Sequence, residues 1–212
     1  MYDRYLFVGL GGSGGSTLGY LKNEIVRWLE QHGEGSEVPD GWQFVHIDTP
    51  TISDARPSLP DDEYVGLIAS GLGFADVQTQ LDGDASLVDE MQTWRVDPAA
   101  MNVDITMGAG QFRAVGRTTA LAFANKIRQR LDVALSRISG PGAKQRLGEI
   151  YHKATGDTPG AESALRLVVV SSLAGGTGAG LLQTVCDILR ARDTEAGDAI
   201  FGILYTPEVF SS

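Results

Sequence analysis

The sequence predicts an α/β protein, a Rossmann-like three-layer α/β/α domain around a mostly parallel sheet. Three observations carry this. Short apolar runs, "RYLFVG" (4–9), "WQFVHID" (42–48), "LRLVVVSSL" (165–173) and "AIFGILYTP" (199–207), alternate with segments of helical spacing. The longest run, 165–173, shows no polar alternation, which implies a strand buried on both faces, as at the centre of a parallel sheet. Glycine-rich turns follow three of the extended segments, at 9–15, 108–110 and 174–180, and each leads into a helical pattern.

Taken in order, residues 4–9 form a buried strand. Leu18, Leu21, Ile25, Trp28 and Leu29 then recur at helical spacing and predict a first helix ending near Gly33. A polar loop (33–41) leads to the second strand, stopped by Asp48, Thr49 and Pro50. A strand, glycine turn, helix and strand in succession argue for parallel pairing with a right-handed crossover. Residues 50–101 read as an irregular insertion over the sheet edge, with short helical patches at 61–70 and 84–94. Residues 103–112 look like a short strand running into the second glycine turn. One long helix follows, marked by Ala120, Ala124, Ile127, Leu131, Leu135 and Ile138, and "ISGPGAK" breaks it. After strand 165–173 the third turn opens a helix with Leu181, Leu182, Val185, Ile188 and Leu189, and 199–207 is a last buried strand. Trp28, Trp42 and Trp94 are read as core or lid residues and Cys186 as buried packing.

The chain's 212 residues suffice for one domain with a sizeable core. A formal net charge of −10 sets nucleic acid and anionic membranes aside as partners. No apolar run approaches the roughly 18 residues of a membrane span, and the N-terminus lacks the pattern of a signal peptide. With one cysteine an intrachain disulfide is impossible, and a cytoplasmic location is expected.

In a parallel sheet all three glycine turns lie beyond the C-terminal ends of the strands and can converge on one ligand. Bare backbone N–H groups and helix N-termini favour anions, so the three together describe a site for a polyphosphate. The first turn on its own is ambiguous. Gly9, Gly11 and Gly14 fit the dinucleotide pattern G-x-G-x-x-G, and Asp48 ends the second strand where an acid could bind ribose hydroxyls. That reading has no use for the third turn. Gly11, Ser13 and Gly15 fit the hydrolase pattern G-x-S-x-G. Against it, the three histidines are badly placed: His32 and His46 come before or within the second strand and His152 falls in a polar loop segment. The elbow also belongs on a central strand, and this strand is the first. The absence of G-K-S or G-K-T excludes a P-loop. Single residues keep plainer readings: Ser13, Ser16 and Thr177 as helix caps, Asp48 as a turn former, Arg113 and Arg117 as solvated helix charges.

The third turn, "SSLAGGTGAG", resembles the signature loop of the tubulin/FtsZ family, GGGTG followed by Ser or Thr and Gly, at five of seven positions; Ala174 and Ala179 are the departures. "GAGQFRAVGR" (108–117) resembles the FtsZ stretch GAGANPEVGR, the first turn resembles GVGGGGGNA with Ser16 at the asparagine, "HIDTP" resembles VNTDA, and "YTPEVF" resembles the segment that passes the ribose. The landmarks fall in family order and span residues 4–210 except 50–101. Phe112, Arg113 and Ala114 replace the family's Asn-Pro-Glu, and the insertion is longer than in FtsZ, which suggests a divergent bacterial tubulin-like protein.

The resemblance implies GTP or GDP, with magnesium, as ligand. Gly11, Gly12, Ser13 and Ser16 would hold the α- and β-phosphates, and Gly175, Gly176, Thr177 and Gly178 the β- and γ-phosphates. Gly108, Ala109, Gly110 and Gln111 would sense the γ-phosphate. Asp48 and Thr49 would lie near the ribose or the magnesium-bound waters, and Pro207 and Glu208 near the sugar. The resemblance further implies head-to-tail self-assembly and hydrolysis at the subunit contact by an acidic loop. In the family that loop follows a long central helix, and the 212 residues contain no counterpart of either. The chain is therefore expected to be the nucleotide-binding part of a larger protein, with little turnover alone.

Overall fold

The computed structural model describes residues 2–101, 103–160, 163–192 and 200–210. The apolar runs become the strands β1 (Arg4–Leu10), β2 (Trp42–Asp48), β4 (Leu165–Ser172) and β5 (Ile200–Tyr205), joined by the short β3 (Tyr64–Gly66). They form one sheet in the order β3-β2-β1-β4-β5, every neighbouring pair parallel. Residue 199, the expected start of the last strand, lies outside the described residues. The helices are α1 (Gly11–Gln31), α2 (Phe74–Leu81), α3 (Ala85–Met91), α4 (Arg113–Ala122), α5 (Ala124–Ile138), α6 (Pro141–Thr155) and α7 (Gly176–Arg190).

Parallel register sorts the strand side chains into two layers. Leu6, Val8 and Leu10 line up with Leu167 and Val169 on one side and with Val45 and Ile47 on the other. This face is buried under Ile127 and Leu131 of α5 and Leu181 and Val185 of α7. The opposite face carries Phe7, Phe44, Val168 and Val170 against Leu18, Leu21 and Ile25 of α1. The three-layer arrangement expected from the sequence is therefore present. On the α1 side, Phe201 and Ile203 of β5 remain about half exposed.

Glycines set the closest approaches. A Cβ on Gly15 would stand 2.2 Å from the His46 ring, and one on Gly19 would stand 2.1 Å from the Pro57 carbonyl oxygen. Strand β2 and the segment after it can thus lie directly on α1. In the second layer, a Cβ on Gly116 would meet the Gly176 carbonyl oxygen at 2.2 Å and one on Gly180 the Arg117 nitrogen at 2.5 Å, so α4 and α7 touch through their backbones.

Several expectations are corrected. Residues 61–70 are not helical: a 3-10 turn (Asp61–Glu63) leads into β3, which pairs through three residues with β2. The insertion is more ordered than expected, since it also contains α2 and α3. No strand forms at 103–112. The Asp104 carboxylate accepts from the Thr106 amide, closing a 3-10 turn (Ile105–Met107), while Ile105 and Val103 pack with Phe74, Val77 and Val115 in a separate apolar cluster. The single long helix is two, α4 and α5, divided at Phe123 (φ −109°, ψ 20°), whose side chain packs against both apolar clusters. "ISGPGAK" also starts a helix, with Gly140 at the N-cap of α6 and Pro141 in its first turn, so His152 is helical rather than in a loop. Strand β1, first in sequence, is central in space. Among the described residues no helix is long and apolar enough to cross a membrane.

Gly19→Ala should lower the unfolding free energy by about 1–3 kcal/mol, because the clash is with backbone rather than with a movable side chain. Urea denaturation followed by circular dichroism checks this.

Candidate functional site

The strand order reverses between β1 and β4, and in open parallel sheets the ligand crevice forms at such a switch, beyond the strand C-termini. Helix α1 starts at Gly11, directly after β1, and α7 starts at Gly176, just after β4. Neither carries a side-chain cap: the N-cap residues are Leu10 and Gly175. Ser13, Ser16 and Thr177 lie inside the helices, so the capping alternative does not hold. The first N–H groups of both helices have no intrahelical acceptor.

The turns are tied to one another. The Gly176 N–H donates to the Gly110 carbonyl at 2.7 Å, and the Ala109 N–H donates to the Thr177 hydroxyl at 3.2 Å. The Thr49 and Thr177 hydroxyls are 3.2 Å apart, and the Thr49 N–H donates to Asp48 Oδ1 at 2.7 Å. A Cβ on Gly11 (φ 68°) would stand 3.0 Å from the Gly178 nitrogen, so the first and third turns also touch.

Between the turns is a cavity of about 430 Å³. Gly11, Gly12, Ser13 and Asp48 line it from one side, Gly108, Ala109, Gly110 and Gln111 from a second, and Gly175, Gly176, Thr177 and Gly178 from a third. Four residues of the expected set do not line it. The Ser16 hydroxyl accepts from the Arg56 N–H at 3.1 Å, Thr49 is buried behind Thr177, and Pro207 and Glu208 sit in a 3-10 turn (Pro207–Phe210) whose last residue, Phe210, does reach the cavity. Sequence reasoning missed Asp54, Met107 and Phe210 in the lining. "YTPEVF" pointed to the neighbourhood of Phe210; nothing pointed to Asp54.

Asp48 is buried and hydrogen-bonded. His46 Nε2 lies 3.7 Å from Asp48 Oδ2 and 3.1 Å from the Gly11 carbonyl, while its Nδ1 faces the Ser53 hydroxyl at 3.4 Å. A carbonyl cannot donate, so Nε2 carries the proton toward Gly11. His46 thus positions the first turn. Burial, and then the charges of Asp48 and Asp54, push the ionisation of Tyr64 far above the ordinary phenol range. The phenol stays protonated and donates to the Pro50 carbonyl at 2.5 Å. Beside the cavity, the Arg113 guanidinium donates to the Leu173 carbonyl at 2.8 Å. Arg117 is not a solvated charge: it pairs with Glu90 at 2.5 Å, bonds Gln183 and lies over the Trp94 ring, 5.2 Å from its centroid. Cys186 is partly buried against the main core.

A doubly wound sheet whose switch point is closed by three backbone loops defines a Rossmann-like domain with one shared crevice. A family model described as tubulin-like matches residues 6–212, and the chain belongs to that family. No curated protein matches it.

Thr177→Val should cost roughly 1–3 kcal/mol of stability by leaving the Ala109 N–H without its acceptor and removing the contact with the Thr49 hydroxyl, and Thr177→Ser should restore most of it. Chemical denaturation of the two variants checks this.

Proposed function

We propose that the cavity binds the phosphate chain of a guanine nucleotide, GTP or GDP with magnesium, and that the protein assembles head to tail with copies of itself. The observation that carries the reading is the meeting of three glycine turns and two uncapped helix N-termini on one cavity. On this reading Gly11, Gly12 and Ser13 hold the α- and β-phosphates, Gly175 to Gly178 wrap the β- and γ-phosphates, and Gly108 to Gln111 face the γ-phosphate. Thr177 shapes the pocket through its bonds to Thr49 and Ala109. The guanine base, self-assembly and hydrolysis of GTP at the subunit contact rest on family membership.

The donor set fits magnesium. Asp48 and Asp54 both line the cavity, and this cation is commonly held by one or two carboxylates together with phosphate oxygens. Among the described residues no group of three acids, histidines or cysteines could hold a metal unaided.

Isothermal titration with GTP, GDP and a non-hydrolysable analogue tests the reading, with sedimentation for assembly. A folded chain that takes up none of them would instead be a scaffold that has lost its nucleotide. Gly175 has open space where a Cβ would go and a φ of −86°, so Gly175→Val should fold normally. It should weaken nucleotide binding by roughly tenfold or more, because the new side chain crowds a loop that phosphate must approach closely.

A further inference from the structure

We propose that a groove beside β3 docks a segment of a partner protein that carries one carboxylate between apolar side chains. The groove, about 680 Å³, lies between α5, which contributes Lys126, Arg130 and Val133, and the insertion, which contributes Ile52 and Asp61. It shares no residue with the cavity between the glycine turns, so the proposal does not rest on the nucleotide reading. Arg130 carries the argument. It is partly buried, and its guanidinium forms no hydrogen bond or ion pair with any described residue. The Nε is enclosed without an acceptor, while the terminal nitrogens of the same fork reach solvent. An enclosed donor without an acceptor is destabilising, and a charged fork open on its outer side is matched by an incoming oxyanion. The nearby acids do not neutralise it. Burial, and then the charge of Arg137, disfavour the charged form of Arg130 more than Asp62 and Glu63 favour it, and Glu63 is already bonded to Lys22 at 2.6 Å.

The chemistry of the groove selects the occupant. Its other polar groups are committed: the Thr51 hydroxyl donates to the Ile68 carbonyl at 2.6 Å and the Tyr64 hydroxyl to the Pro50 carbonyl. The Leu67 N–H donates to Asp48 on β2, so the Gly66 carbonyl of the same peptide unit faces the outer edge of the sheet, where the Lys126 ammonium takes it at 2.6 Å. That bond blocks strand addition and leaves recognition to side chains. Lys126 and Arg130 against Asp61 leave a single positive charge in the lining. One carboxylate balances it, whereas the second charge of a phosphate would go uncompensated beside Asp61. The flanks are apolar, with Ile52 80% and Val133 46% exposed. Lys126, Arg130 and Val133 follow at i, i+4 and i+7 on one face of α5, a strip about 10 Å long. A small carboxylate would fill only the Arg130 end; an acid with apolar neighbours also covers Ile52 and Val133. The chain's net charge of −10 opposes a second copy and repels acidic segments from most of its surface, so the local cations set where such a segment lands.

The test titrates the isotope-labelled chain with the capped pentapeptide Ala-Leu-Glu-Leu-Ala and follows the Arg130 Nε–H and the Ile52 and Val133 amides by NMR. All three resonances should move together. The same peptide with Gln for Glu, acetate and inorganic phosphate should each bind the wild-type chain roughly fivefold more weakly or worse. Arg130→Gln should weaken the Glu peptide by roughly fivefold or more, the scale of a hydrogen bond to a charged group, and Arg130→Lys, which keeps the charge and loses the fork, should recover only part. Circular dichroism confirms that the variants fold, and the comparison of the four probes on the wild-type chain stands without them. No shift at these resonances with millimolar Glu peptide, equal binding of acetate or phosphate, or unchanged affinity in folded Arg130→Gln would overturn the proposal. An Arg130 resonance that moves on dilution of the chain alone would put a second copy in the groove and overturn it as well.

Discussion

The constraint on which everything else depends is the reversal of strand order between β1 and β4. Parallel strands need crossover connections, and those from β1 and β4 depart in opposite directions from the centre of the sheet. Two helices therefore begin side by side at one edge. Because both start on glycine, with no side chain over their ends, the edge presents backbone instead of packed side chains, and the Gly176 amide is taken up by the Gly110 carbonyl. The cavity is a product of topology first and residue type second.

What residue type adds is closeness. Gly176 bonds the second turn through its backbone, Gly11 lies against Gly178, and the Thr177 hydroxyl joins the second and third turns to the end of β2. Thr177 is largely committed to this lacing, which is why it matters to the shape of the site as well as to its chemistry. The negative charge comes from elsewhere: Asp48 from a strand end, Asp54 from the insertion.

Much of this was legible in the sequence because it depends on local patterns. β1, β2 and β4 are apolar runs with few alternatives, and the first and third glycine turns mark where a chain leaves a strand for a helix. The convergence of the three turns followed from parallel pairing alone. What was not legible depends on distant contacts. β3 is three residues long and exists because β2 offers it an edge. Phe123 splits a continuous helical pattern without glycine or proline, because its side chain is shared between two apolar clusters. Residues 103–112 look β-prone, yet Asp104 turns them locally. The start of α6 was visible in Pro141, with Leu147 and Ile150 at helical spacing, but the glycines around it read as a break. In the site, Ser16 was assigned by its position in a motif, whereas its hydroxyl serves the Arg56 amide. Asp54 carried no signal because the fold of the insertion is what brings it in.

The backbone contact between α4 and α7 has a mechanical consequence. Gly116 sits against Gly176, and Gly180 against Arg117, with no cushion of side chains in which slack could accumulate. The two helices also open directly from the second and third turns. The starts of the two helices, and the turns that precede them, are therefore fixed to one another by direct backbone contact.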